Sequence, residues 1–124
     1  MLTIDSLPDQ VNHDPALVRR GRYVNAVVLL DFGDASHLVH IRDGRVEKVE
    51  AKPVVMPVWT FAIRAPREEW DALFMARPRP GSHDIMALLR RRVMTVEGDL
   101  HPFVTNLQYF KDLLSSLRDK EGAQ

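Results

Sequence analysis

The sequence predicts an α+β fold, a sheet of about five largely antiparallel strands with helices gathered on one face. Three observations carry this. From Arg22 the apolar residues alternate with a period of two, so that Val24, Ala26, Val28, Leu30 and Phe32 share one side of a strand. Asp43-Gly44 sits between two further alternating runs and is a strong signal for a tight hairpin, because that pair tolerates positive φ. Towards the C-terminus, Leu100, Phe103, Val104, Leu107, Phe110, Leu114 and Leu117 recur at helical spacing.

The elements follow in order. Residues 1–21 are polar and turn-rich, with Pro8, Pro15 and Gly21; they read as an arm in which only residues 16–20 form about a turn of helix. Residues 22–32 form the first strand. Its stretch 27–30 is apolar on both sides, as a central strand requires. Residues 36–42 form the second, with Val39 and Ile41 on one face and Leu38 and His40 on the other. The third, 45–51, alternates charge with Val46 and Val49 imperfectly, as an exposed edge does. Pro53 and Pro57 bracket a connection, and 58–64 form a fourth strand with Trp59, Phe61 and Ile63 on one face.

Pro66 at a first helical position, followed by Glu68 and Glu69, starts a helix whose apolar stripe is Trp70, Leu73 and Phe74. Ser82 is placed to cap a second short helix with Ile85, Leu88 and Leu89 inward. Residues 93–97 read as a fifth strand. Gly98-Asp99 then opens one long final helix, with Asp99 as its cap and Pro102 in the tolerated first turn. Residues 119–124 are a polar, frayed tail, so the single domain spans 22–118.

Composition narrows the function. The 124 residues contain no cysteine, which excludes disulfides and thiolate metal sites. Seventeen basic and seventeen acidic side chains cancel, whereas a nucleic-acid binder carries a basic excess. No run approaches the roughly 20 apolar residues of a membrane helix, and the expectation is a cytoplasmic protein.

Catalytic and metal chemistry find little support. His37 and His40 are three apart on a strand and so face opposite sides; His83 and His101 stand at helix starts, and no metal-ligand spacing occurs. No serine lies in a nucleophile elbow, the glycines form no phosphate loop, and Asp31, Asp34 and Asp43 sit where turns need them. Neither a catalytic residue, a metal nor a cofactor is expected. Arg90-Arg91-Arg92, with Arg77 and Arg79 nearby, reads as a solvated helix end or as a contact for the anionic head of a ligand. Truncating Leu107 to Ala costs about 2–5 kcal/mol if that residue is plain core, and less if it lines a ligand space. Met56, Met75, Met86 and Met94 fall in segments that pack together, where thioethers adapt to gaps or to an apolar guest.

The ordered segments 41–46 (Ile-Arg-Asp-Gly-Arg-Val), 69–73 (Glu-Trp-Asp-Ala-Leu), 85–89 (Ile-Met-Ala-Leu-Leu) and 93–99 (Val-Met-Thr-Val-Glu-Gly-Asp), with the closing amphipathic helix, resemble the sterol carrier protein type-2-like domain. The likeness covers residues 21–118. It implies a sheet of about five strands covered by helices around an apolar tunnel. It further implies non-catalytic binding of a fatty acid, an acyl-coenzyme A or a sterol-like lipid. Carried onto this chain, the tunnel is lined by Val28, Leu30, Trp70, Phe74, Met86, Leu89, Phe103, Leu107 and Phe110. Two departures stand out. The long N-terminal helix of that family is shortened, which leaves the sheet's far side, with Val27 and Leu29, to be covered by the arm or a second subunit. The chain ends Glu-Gly-Ala-Gln, without a peroxisomal tripeptide. The alternatives are a homodimeric or partner-docking module, and a small enzyme using His37, His40 or a buried aspartate on a hydrophobic substrate.

Overall fold

A computed structural model of the chain describes residues 4–51, 58–75, 81 and 84–118. Ser82, Pro53, Pro57, Met56, Arg77, Arg79, His83 and the tail 119–124 lie outside them. Five strands, β1 (Ala26–Asp31), β2 (Ser36–Arg42), β3 (Arg45–Ala51), β4 (Phe61–Arg64) and β5 (Thr95–Gly98), form one sheet in the order β3-β2-β1-β4-β5. β1–β2, β2–β3 and β4–β5 are antiparallel, and the central pair β1–β4 is parallel, so the sheet is mixed. Asp43 (φ 51°) and Gly44 (φ 80°) make the hairpin turn in the left-handed conformations its sequence requires.

The helices are α1 (Leu7–Asn12), α2 (Pro15–Arg20), α3 (Arg67–Leu73), α4 (Ile85–Arg90), α5 (His101–Thr105) and α6 (Leu107–Ser115), preceded by a 3-10 turn at Ile4–Ser6. Every one of them feeds a single core with Val28, Leu30, Val39, Ile41, Val46, Phe61 and Ile63, which defines the helix-side face of the sheet. The opposite face holds a smaller cluster of Leu29, Leu38 and Ala62, with Val27 and Trp59 against it.

Several local expectations are corrected. The arm is more helical than its prolines imply, because Pro8 and Pro15 occupy opening positions of α1 and α2, where a missing N–H costs nothing. Asp14 caps α2 by accepting from Leu17 N at 3.2 Å. The described part of the arm packs on the helix-side face and not on the far face. Ile4, Leu7, Val11 and Leu17 join the helix-side core, and the Asn12 side chain both donates to the Val46 carbonyl and accepts from its N–H, each at 2.9 Å. Two hydrogen bonds thus fasten the arm to the edge strand β3.

The imperfect alternation of β3 has a geometric cause. A β-bulge between His40 and Ile41 sets Lys48 opposite His40 and Val46 opposite Ile41, so Val46 and Val49, three apart, both face the core. Pro66 is the residue before α3 rather than its first, and Asp84 caps α4 by accepting from Ala87 N at 3.0 Å. Arg92 (φ 62°) closes α4, and Val93 N–H reaches back to the Leu88 carbonyl, so β5 begins at Thr95 instead of 93. A bend at Thr60 turns Trp59 to the far-face cluster, away from Phe61 and Ile63. Finally, the single long helix is broken at Asn106 (φ −123°, ψ 33°), whose side chain donates to the Pro102 carbonyl.

Candidate ligand seam between sheet and C-terminal helix

The centre of the helix-side face is a layer of β-branched and leucine side chains, which β1, β2 and β4 present in register. Val28 lies opposite Val39 and Phe61; Ala26 lies opposite Ile41, and Leu30 opposite Ile63. α6 lies over this layer with Phe110, Leu113 and Leu114 buried. Between the two, an apolar space of about 10 Å³ is lined by Val28, Leu30, Val39, Ile41, Ile63, Phe110, Leu113 and Leu114. That is about one water-sized sphere, and a site with no polar lining stays dry.

Of the residues expected to line a tunnel, the structure brings Val28, Leu30 and Phe110 to this space. Phe103 stands beside it. Its ring is 5.5 Å from Phe61 and 6.0 Å from Phe110, and Phe61 and Phe110 meet edge to face at 5.1 Å. Trp70 and Phe74 form a second aromatic group, stacked on each other at 5.7 Å with Phe32 edge-on to Trp70 at 4.9 Å. Trp70 Nε1 donates to the Asp31 carbonyl at 2.8 Å. Leu89 and Leu107 are half-buried against the core, and Met86 is half-buried on α4. Val39, Ile41, Ile63, Leu113 and Leu114 were not expected at the site. The alternation already placed Val39 with Ile41, but which β1 residue each opposes is a matter of strand register, which periodicity does not contain.

α6 is locked at its outer edge. Tyr109 is buried, its hydroxyl donates to the Gly44 carbonyl at 2.7 Å, and burial raises its phenol well above the ordinary value. Gly21 makes this possible, since a Cβ there would lie 2.3 Å from the Tyr109 ring. Arg20 pairs with Asp112 on the same side.

The titratable groups lie away from the space. His37 is on the helix-side face at the rim, with its ring 5.6 Å from Phe32 and its Nδ1 buried without a hydrogen-bond partner. Burial holds its imidazole below the ordinary value, Asp5 opposes this and Arg67 adds to it. His40 is on the far face with Nε2 3.1 Å from Glu50, so the two histidines do face opposite sides. Arg91 is tied to the Gly81 carbonyl at 2.9 Å and approaches Glu69 at 3.4 Å. Among the described residues no cluster of three His, Cys, Asp or Glu is placed to hold a metal ion.

No protein-family model matches the sequence, and a search of the curated proteins finds no match either. The solved structures do match in fold. A crystal structure of sterol carrier protein 2 superposes with a TM-score of 0.74 at 14% identity, covering 93% of this chain and 92% of that one. The solution structure of a conserved hypothetical protein from Thermus thermophilus, described as possibly a sterol carrier protein, gives 0.67 at 12% identity over 96% and 90%. The ubiquinone synthesis protein UbiJ-SCP2 gives 0.58 at 19% identity over 90% and 85%. The chain therefore has the sterol carrier protein 2-like fold, an α+β domain with a mixed five-stranded sheet. No helix among the described residues is long and apolar enough to cross a membrane.

Proposed function

We propose that the protein binds a hydrophobic small molecule, a fatty acid, acyl-coenzyme A or sterol-like lipid, between the helix-side face of the sheet and α5–α6, without transforming it. The observation that carries this reading is the wholly apolar seam under α6, in a fold shared with proteins described as sterol carriers. A space of about 10 Å³ is far smaller than the roughly 300 Å³ of a small ligand pocket. Uptake therefore requires α6 to move off the sheet. The break at Asn106 and the half-buried Leu107 supply a joint and an entry edge. As the seam widens, Phe103 and Leu107 join Val28, Leu30 and Phe110 around the guest, with Trp70, Phe74, Met86 and Leu89 at its far end. Burying hydrocarbon contributes about 0.8 kcal/mol per methylene, which opposes the cost of separating α6.

The test is titration of delipidated protein with a fluorescent fatty acid and a panel of lipids, with native mass spectrometry of the product. One-to-one binding at micromolar concentration is expected; no binding across the panel at tens of micromolar refutes the reading. The small size of this space favours a second reading, a homodimeric or partner-docking module without a guest. It predicts a dimer by light scattering and no lipid uptake. The described residues lining the seam are all apolar.

A further inference from the structure

We infer that the bare edge of the sheet, strand β5, pairs with β5 of a second copy of this chain and joins two five-stranded sheets into one. This goes beyond lipid binding and is independent of it, because no β5 residue lines the seam. The two edges of the sheet differ. At β3 the Asn12 side chain bonds both the N–H and the carbonyl of Val46, so the arm closes that edge. β5 is the opposite edge, with Thr95, Glu97 and Gly98 exposed and Val96 half-buried. Hydrogen-bond direction shows which of its groups are free. Ala65 N–H donates to the Asp31 carbonyl at 3.2 Å, so the odd-numbered residues of β4 serve β1. Asp99 N–H donates to the Thr60 carbonyl at 2.9 Å, so the even-numbered residues of β4 meet the odd-numbered residues of β5. Antiparallel pairs alternate in this way, which leaves the N–H and carbonyl of Val96 pointing outwards. Among the described residues nothing bonds them. Unpaired backbone groups on an edge are a template for another strand.

The side chains of β5 suit its own copy as the partner. Placed antiparallel about a two-fold axis at Val96, the strands exchange hydrogen bonds between the two Val96 residues. Their β-branched side chains then meet on the helix-side face, and on the far face Thr95 stands opposite Glu97 of the other copy, a pairing without repulsion. An axis at Glu97 would oppose two carboxylates directly, which is unfavourable. An axis at Thr95 would set Glu97 against Val93, which lies outside the strand.

Charge along the strand favours the same arrangement. Arg90, Arg91 and Arg92 precede β5, with no carboxylate in residues 85–96; Glu97 and Asp99 end it, with no lysine or arginine in residues 93–106. Arg90 belongs to the last turn of α4, and Arg91 is engaged by Glu69 and the Gly81 carbonyl. Glu97 is bonded to Arg64, which also holds Asp31. Arg92 and Asp99 remain. Arg92 is exposed and has no carboxylate partner among the described residues, and the exposed Asp99 carboxylate accepts from His101 N–H at 3.2 Å. Antiparallel pairing sets Arg92 of each copy beside Asp99 of the other, twice per dimer. Pairing of β5 with β3 of another copy would run on as an open chain of sheets, and Asn12 blocks it.

The test is sedimentation velocity of the full chain over a range of concentrations, with hydrogen exchange read at Val96. A contact this short is weak, so a monomer–dimer equilibrium is expected, with the Val96 amide better protected as the dimer fills. Val96→Pro removes the outward N–H and leaves the β4–β5 bonds in place, because an edge strand tolerates proline where its N–H faces solvent. It should give a monomer in which the Glu97 amide is still protected. Arg92→Asp alone, which its left-handed backbone (φ 62°) tolerates, or Asp99→Lys alone should weaken the dimer about tenfold. The two together should restore it. A monomer at every concentration overturns the inference. So does a dimer indifferent to Val96→Pro and to the charge swap, which places the contact elsewhere. A Val96 amide protected only by an added extended peptide also overturns it, and assigns the edge to a different partner.

Discussion

Leu107 and Leu114 occupy equivalent places in the helical repeat, yet the structure separates them, and truncating each tests the architecture of the seam. Leu114 is 2% exposed and lines the space under α6, while Leu107 is half-buried at its margin. In close-packed cores Leu→Ala costs about 2.7–5.0 kcal/mol, with ~24 cal/mol for each Å³ of cavity left behind. The existing space lowers this little, since 10 Å³ corresponds to about 0.2 kcal/mol on that scale. Leu114→Ala should therefore lose about 3 kcal/mol, and Leu107→Ala about 1–2 kcal/mol, because part of its apolar surface is already in water. For a chain of this length the first corresponds to a midpoint about 12 °C lower. Chemical denaturation of both variants, with and without a saturating apolar guest, is the assay. A guest at a hundred times its Kd adds about 2.7 kcal/mol and should restore most of the Leu114→Ala loss, because the new cavity lies in the seam. Equal losses in the two variants, or a Leu114→Ala loss under about 1 kcal/mol, would refute this placement of α6.

Other perturbations probe the clamps around the seam. Asn12→Ala leaves the Val46 N–H and carbonyl without their partner; at roughly 1–3 kcal/mol for an unsatisfied buried group, urea unfolding should show a loss of about 2 kcal/mol. Tyr109→Phe strands the Gly44 carbonyl and should cost about 1–2 kcal/mol by the same reasoning, with faster exchange of the α6 amides. His37 carries a pH signature. Its folded-state imidazole titrates below its unfolded value because of burial, so the unfolded chain takes up the proton first and stability falls as pH drops below about 6.5. Thermal melts from pH 7.5 to 5 should show this slope, and His37→Phe should flatten it; an identical slope in the variant would remove His37 as its source.

Much of the fold was legible because its signals are local. Alternation through Val24–Phe32, the Asp43-Gly44 turn and the stripes of α3 and α6 depend only on residues near in sequence, and the structure has them. What escaped was set by partners far along the chain. The three-residue spacing of Val46 and Val49 became intelligible only with the bulge against β2. Trp59 matched the phase of Phe61 and Ile63 until Thr60, bonded to Val27 on the neighbouring strand, bent the chain. Pro8 and Pro15 read as turn markers because the same residue that breaks a helix also begins one. The site divided along the same line. Val28, Leu30 and Phe110 were carried onto the chain by the family resemblance, whereas pairing Val39 with Val28, or Ile63 with Leu30, required the register.

The measurement that bears most directly on the central claim is methyl NMR of the delipidated protein during titration with a medium-chain fatty acid. Saturable shifts are expected at the methyl groups of Val28, Val39, Ile41, Ile63, Leu113 and Leu114, with those of Leu29 and Leu38 on the opposite face unmoved. Methyl groups under α6 that stay unmoved throughout, or shifts confined to the far face, would contradict it.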